Sequence, residues 1–400
     1  MKDFIFHNPD KVYFGKNQIK YLPEELLKLG KRVLFVYGGG SIKKSGLYDT
    51  INELLKTNGL EVFELAGVEP NPRHSTVNKG AEICKKENID IVLAVGGGST
   101  IDCSKAIAAT TLIESGDVWE LVSNNVWVTK ALPVAVVLTN AATGSEMDAW
   151  AVISNMNTNE KIGLGGNALI PKVAFENPEL SFSLSAYQTA CGAFDIFNHV
   201  LDNYYFAGEA TFDMILEFQE AVMRAVVKWA PIAMKEPDNY EARANLMWAS
   251  SMALNTVLDA GTVHDCACHA MEHELSAYYD ITHGHGLAII TPRWLEYILN
   301  ERILLILIIN EKTAPAIYRL GVMVFGIEES LDEILGAKKT IKAISDFCFN
   351  TLGLKSNLSD LGIDDKYFKE MAEHACFGSI ITGPENLTSS DIEAIYKMCL

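Results

Sequence analysis

No apolar run in this 400-residue chain approaches the ~20 residues that a membrane-spanning helix needs. The longest, Ile303–Ile309, has seven residues, so no spanning segment is expected. The first residues, Met1-Lys-Asp-Phe-Ile-Phe6, show neither an apolar signal core nor a cleavage site. Positive charge is scarce as well: 33 Lys and Arg stand against 51 Asp and Glu, a net charge of −18. Phosphate neutralisation needs clustered cations, so a nucleic-acid partner or an anionic membrane surface is excluded as an expectation. The eight cysteines, at 84, 103, 191, 266, 268, 348, 376 and 399, follow no framework spacing. That argues against a disulfide scaffold and for reduced thiols in a cytoplasm. There is no GxxxxGK[ST] signature, no internal repeat and no low-complexity linker. What is present is a 49% hydrophobic composition, ample for a core in two or three domains.

The pattern divides the chain in two. Up to about residue 180, short apolar runs alternate with helical stretches. The strand candidates are Val33–Tyr37, Glu61–Leu65, Ile89–Val95, Leu132–Leu138 and Val173–Phe175. Helical spacing follows from Leu47 to Leu55, from 75 to 87 and from Thr100 onward. Such alternation predicts a parallel sheet covered on both faces. Beyond Asn177-Pro-Glu-Leu180 the segments 185–205, 209–230, 239–258, 264–279, 332–351 and 366–377 carry helical periodicity. The expectation is an α/β domain over 1–180 and an all-helical domain over 181–400.

Two glycine-rich turns close strands. Gly96-Gly-Gly-Ser-Thr-Ile-Asp102 ends the clearest strand and opens a helix, where free amides can cradle a phosphate. An ordinary βα turn reads the same way, and Asp102 either caps amides or accepts from a ribose hydroxyl. Gly38-Gly-Gly-Ser41, followed by Lys43 and Lys44, offers small residues, a hydroxyl and cations. That suits a 2′-phosphate, unless both lysines are merely solvated. Gly163-Leu-Gly-Gly-Asn-Ala168 matches a dinucleotide fingerprint but lacks its strand–helix context, so it is read as a turn.

Five of the nine histidines lie between 264 and 285. Asp195 and His199 are four apart and share a helix face, and His269 and His273 repeat that spacing on a second helix. His283 follows in Thr282-His-Gly-His-Gly286, read as a loop. One carboxylate and several neutral imidazoles suit Zn2+ or Fe2+. His264 and His285 stay unassigned. Cys266 and Cys268 lack a partner Cys-x-x-Cys pair and read as small buried residues.

These residues carry a family resemblance. The chain resembles the iron-containing (group III) alcohol dehydrogenases, and within them the NADPH-dependent butanol dehydrogenase and aldehyde reductase branch. The matching stretches include Phe6-His-Asn-Pro9, Val12-Tyr-Phe-Gly15, Tyr37–Lys43, Val68-Glu-Pro-Asn-Pro72, Gly96–Asp102, Ala142-Thr-Gly-Ser-Glu-Met147, Tyr187–Gly192 and Cys268–Leu275. The resemblance implies a Rossmann-like dinucleotide domain and an all-α metal domain, a dehydroquinate synthase-like fold that is usually dimeric. It implies Asp195, His199, His269 and His283 as metal ligands and His273 as a non-ligand histidine beside the metal. Gly97, Gly98, Ser99 and Asp102 fall on the pyrophosphate turn, and Gly38, Gly39, Ser41 and Asn71 at the 2′-phosphate. Thr139, Thr143, Ser145, Asp148 and Lys161 fall along the nicotinamide side. The departures are Asn140, Ala141 and Asp148 in the threonine-rich turn, and the unusually apolar stretch 303–309.

The reaction this implies is hydride transfer between NADP(H) and an aldehyde or primary alcohol, with Fe2+ or Zn2+ bound and His273 as the candidate acid. Butanal and butanol represent the substrate class, and a cytoplasmic homodimer is expected. Competing readings are a dehydroquinate synthase-like lyase, an NAD-dependent polyol oxidoreductase of the glycerol dehydrogenase type, and a metal- or nucleotide-binding regulator.

Overall fold

The apolar runs at 33–37, 91–95, 134–138 and 173–175 become strands buried on both faces, whereas the run at 61–65 becomes a half-exposed edge strand. The computed structural model describes residues 1–206, 212–262, 264–305 and 313–400. Its strands are β1 (Lys11–Phe14), β2 (Arg32–Tyr37), β3 (Glu61–Ala66), β4 (Ile91–Gly96), β5 (Val134–Leu138), β6 (Trp150–Asn155), β7 (Glu160–Gly165) and β8 (Val173–Glu176). Six of them form one parallel sheet in the order β1-β8-β5-β4-β2-β3. The central strands β4 and β5 are buried at every residue, as a sheet covered by helices requires. The covering helices are α1 (Leu22–Leu27), α2 (Ser41–Lys44), α3 (Leu47–Thr57), α4 (His74–Glu87), α5 (Gly98–Thr110) and α6 (Val118–Ser123). Leu47, Ile51 and Leu55 of α3 pack on Val33, Phe35, Leu93 and Val95 of the sheet.

Strand order decides where a ligand can sit. The chain leaves β2 toward the β3 edge but leaves β4 toward β5 on the other side. The topological switch point therefore falls between β2 and β4, neighbours in register at Tyr37↔Val95. A crevice opens outside the carboxyl ends of such strands. Both glycine turns, 38–40 and 96–98, emerge there.

One expectation is corrected in this half. The Gly163–Ala168 stretch is not a free turn, because Gly163 and Gly165 belong to β7, which pairs antiparallel with β6 from Trp150↔Gly165 to Asn155↔Glu160. A side chain at 165 would collide with the rings of Trp150 and Trp127. Glycine is required there although it is a poor strand former, and periodicity alone could not find the strand.

The second half is helical: α7 (Ala186–Val200), α8 (Asp213–Lys235), α9 (Tyr240–Leu254), α10 (Ala267–Tyr279), α11 (His283–Leu305), α12 (Thr313–Leu320), α13 (Glu333–Asp346), α14 (Phe368–Ala375) and α15 (Ser389–Met398). Contacts divide the chain into two compact units, His7–Leu184 and Met1–Phe6 with Ser185–Leu400. The division falls four residues past the expected 180/181. Leu180 still packs on the sheet core, and Ser185 caps α7, accepting from the Gln188 amide. The N-terminal residues join the helical unit through the Lys2 amide, which donates to the Gly261 carbonyl at 2.9 Å. Of the apolar stretch 303–309, residues 303–305 close the backbone of α11 and the rest lie outside the described residues. Among the described residues, no helix is long and apolar enough to cross a membrane.

Within the α/β unit, burial and the nearby Glu146 carboxylate push the Asp10 carboxyl up to about 8. A raised acid holds its proton in the fold after the unfolded chain has released it. Stability is thus highest below the ordinary Asp value and falls as pH rises toward 8. Asp10→Asn keeps the shape without the charge. Its thermal midpoint should match wild type near pH 4 and exceed it by several degrees above pH 8. Equal midpoints at both pH values would remove Asp10 as the source of that slope.

Candidate metal centre and coenzyme cradle

The helical unit gathers its titratable residues through three helix ends. On α7, Asp195 and His199 are one turn apart, with His199 Nδ1 3.4 Å from Asp195 Oδ1. The helix then widens into a π-turn, Leu201–Tyr205, within which Asp202 is buried. Asp202 accepts from the amides of Cys268 and His269 at 3.1 and 3.0 Å, so it caps the start of α10. That places His269 beside His199, with ring centroids 4.5 Å apart. His283 completes the group, its Nε2 3.6 Å from Asp195 Oδ1.

His283 is not in a loop, as the sequence reading had it, but is the first residue of α11. Glycine composition hid the helix start, and packing explains the glycines. A Cβ at 284 would lie 2.1 Å from the Cys191 carbonyl oxygen on α7. A Cβ at 286 would lie 2.7 Å from Glu272 Cγ on α10. The start of α11 is wedged between two helices, and only glycine fits both faces.

One potential ligand atom from each of Asp195, His199 and His269 lies within 4.8 Å of the others, and Glu272, His273 and His283 form an adjoining group. The donor set fits a divalent cation. His199 Nδ1 and His269 Nε2 are buried and make no hydrogen bond among the described residues. Burial, then the neighbouring His269 and His283, hold the His199 imidazole well below its ordinary range, so it is the neutral ligand form. His269 Nδ1 lies 2.9 Å from Asp202 Oδ2. A carboxylate only accepts, so Nδ1 carries the hydrogen and Nε2 the lone pair.

The remaining candidates lie apart. His264 stacks on Tyr204, and His285 is held between the Tyr187 hydroxyl and the Lys355 carbonyl. Cys268 is buried beside Thr291, whereas Cys266 is exposed rather than buried as the sequence suggested.

In the α/β unit, Gly97 precedes α5 in extended conformation, so Gly98 and Ser99 present the first free amides of the helix. Asp102 caps nothing on its own helix. Its Oδ1 accepts from Ser145 Oγ at 2.6 Å and its Oδ2 from the Val152 amide at 2.9 Å, and burial raises its pKa to about 6. Asp148 Oδ1 accepts from Lys105 Nζ and the Trp150 amide, both at 2.7 Å. Lys105 is fully buried and also donates to the carbonyls of 148 and 150. This pair, absent from the sequence reading, staples the loop before β6 and the first residue of that strand to α5. Thr143 Oγ1 accepts from the Ser145 amide, and the Thr139 amide donates to the Gly96 carbonyl. Lys161 is buried on β7, and Asn71 is buried with a positive φ of 52°.

No acidic side chain stands in the turn Gly38–Ser41. Lys43 Nζ lies over the rings of Tyr48 and Tyr37, 4.4 and 5.2 Å from their centroids, and both hydroxyls donate to Glu64. A cavity of about 340 Å3, also unforeseen, opens among Ser45, Thr50, Phe175, Asn177, Leu180 and Phe182.

The chain thus joins a parallel sheet, with glycine-rich turns at its switch point, to a helical carboxylate–histidine cluster. The iron-containing alcohol dehydrogenase family profile matches residues 9–178, and the profile of the family's C-terminal part matches 189–400. The chain belongs to that family and to its class of oxidoreductases. It is 46% identical to NADH-dependent butanol dehydrogenase A of Clostridium acetobutylicum, over 99% of each chain. It is 35% identical to NADPH-dependent aldehyde reductase YqhD of Escherichia coli, over 94% of each. A solved Thermotoga maritima structure described as NADH-dependent butanol dehydrogenase A superposes with a TM-score of 0.91 at 38% identity, covering 100% of this chain and 99% of that one.

The wedge at the start of α11 yields a prediction. Gly284→Ala must push α11 off the α7 backbone and carry His283 with it. Purified protein should then lose most of its bound divalent metal, as Asp195→Ala should. Full metal occupancy in both variants, by elemental analysis, would sink the ligand assignment.

Proposed function

We propose that this chain reduces aldehydes, and oxidises the matching primary alcohols, with NADP(H) and one divalent cation, Fe2+ or Zn2+. The substrate class is that of butanal and butanol. The balanced reaction is aldehyde plus NADPH plus a proton giving alcohol plus NADP+. The observation that carries the reading is the convergence of Asp195, His199 and His269 within 4.8 Å, with His283 Nε2 facing Asp195.

Asp195, His199, His269 and His283 would hold the cation. When bound, it supplies Lewis acidity toward a carbonyl oxygen. His273, one turn along α10 from His269 with its ring centroid 5.6 Å from that of His283, would deliver the proton to the product oxygen. Gly97, Gly98 and Ser99 would bind the pyrophosphate by their amides. Thr139, Thr143, Ser145 and Lys161 would orient the nicotinamide, while Asp102 and Asp148 hold the loop that carries these hydroxyls. Relatives' names divide between NADH and NADPH. What favours the phosphorylated coenzyme is the turn around Gly38, Gly39 and Ser41, together with Asn71 beyond the end of β3. It lacks the carboxylate that would repel a 2′-phosphate. The cavity beside Ser45 and Leu180 suits the adenine end. The same reading makes the protein a cytoplasmic homodimer with no nucleic-acid or membrane partner.

Two measurements test this. In a matrix of coenzymes and aldehydes, with protein purified anaerobically, NADPH should outperform NADH and butanal should be reduced. A preference for NADH would refute the reading of residues 38–41. Replacing His273 with Ala should slow reduction and remove the limb of the pH profile that belongs to the acid; unchanged turnover at every pH would eliminate it as the proton carrier.

A further inference from the structure

We propose that Glu272 and Asp202 are positioning residues of the metal centre: each is a buried carboxylate that grips one ligand imidazole by Nδ1 and aims its Nε2 at the cluster. The inference rests on the metal reading above.

Glu272 is fully buried. Its Oε2 accepts from His283 Nδ1, and its Oε1 accepts from Ser276 Oγ at 2.5 Å, one turn along α10. The far nitrogen of the same ring, Nε2, lies 3.6 Å from Asp195 Oδ1. Asp202 repeats the arrangement from the other side. Its Oδ2 accepts from His269 Nδ1 at 2.9 Å while the Cys268 and His269 amides fix the carboxylate. Each carboxylate is thus anchored by a donor that is not the imidazole it orients. A carboxylate on Nδ1 fixes the tautomer, prevents ring rotation and makes Nε2 more basic. Gly286 matters for the same reason, since a Cβ there would displace Glu272. Glu272, His273 and His283 also lie close enough to suggest a second cation. Both oxygens of Glu272 are already engaged by Ser276 and His283, which favours the positioning role.

The test uses the full-length protein stripped of metal, with Co2+ alone as the probe. Affinity is read by chelator competition, geometry by the visible absorption of bound Co2+, and folding by thermal midpoints with and without metal. Wild type should take one Co2+ per chain. Glu272→Gln and Asp202→Asn should each weaken binding about 10–100-fold and alter the Co2+ spectrum, with the metal-free midpoint little changed. If one variant does not fold, the other decides, since they lie on different elements. Affinity and spectrum both unchanged would overturn the proposal. So would metal-free and metal-loaded midpoints that fall equally, which is the mark of packing alone. Two Co2+ per chain, with one lost in Glu272→Gln, would overturn it in favour of a second cation site. Wild type that binds one Co2+ and shows these variant effects, yet reduces no aldehyde, supports the positioning role and removes the proposed reaction. Wild type that binds no Co2+ overturns both.

Discussion

A buried carboxylate must be satisfied locally, and much of the helical unit is arranged around three of them. Asp195, Asp202 and Glu272 are almost inaccessible to solvent. Leaving even one such charge uncompensated would cost about 3–5 kcal/mol, a large part of a domain's stability. Asp202 meets the constraint with two amides and an imidazole, which fixes where α10 begins. Glu272 meets it with Ser276 and His283, which fixes how close α11 must approach. Asp195 faces imidazole nitrogens of His199, one turn along its own helix, and of His283 at the start of α11. The starts of α10 and α11 and the glycine at 286 answer to this one requirement.

The α/β unit meets the same constraint with a different partner. Lys105 is fully buried in the middle of α5, where a lysine is rarely found. Its ammonium is surrounded by Asp148 Oδ1 and two carbonyls. With Asp102 holding Ser145 and the Val152 amide, this forms a polar seam that ties an irregular loop to a helix. Polar seams of this kind give less net stability than an apolar core would. Their value here is positional: the loop they hold carries Thr143 and Ser145, and the helix they hold begins at Gly98.

How much of this could be read from sequence depended on the length over which each signal acts. The buried strands were legible because apolar continuity is a local property: β2, β4 and β5 fall on the runs that announced them. The Asp195/His199 and His269/His273 spacings were legible because a helix turns i and i+4 side chains to one face. The hairpin β6–β7 was not legible, since Gly165 makes room for the indoles of Trp127 and Trp150, residues distant in sequence. Nor was the start of α11, where His-Gly-His-Gly resembles a loop until the approach of Cys191 and Glu272 is known. Lys105 was invisible for the converse reason. A lysine on a helix reads as solvated, and nothing in its neighbours shows that Asp148 lies 43 positions away in sequence and 2.7 Å away in space.

The net charge of −18 shows why overall composition is a weak guide to a small ligand. At physiological ionic strength the field of exposed charges decays within about 8 Å, while the amides at the start of α5 act at hydrogen-bond distance. A polyanion bound as proposed would therefore meet the switch point and not the average surface. The histidine cluster works in the same way. Its carboxylates contribute to the acidic total, yet Asp202 and Glu272 are in place as hydrogen-bonded anchors of the imidazoles beside them. In both units the decisive electrostatics is local and set by backbone geometry. Substitutions that move a helix end should therefore disturb the chemistry more than substitutions that change the net charge.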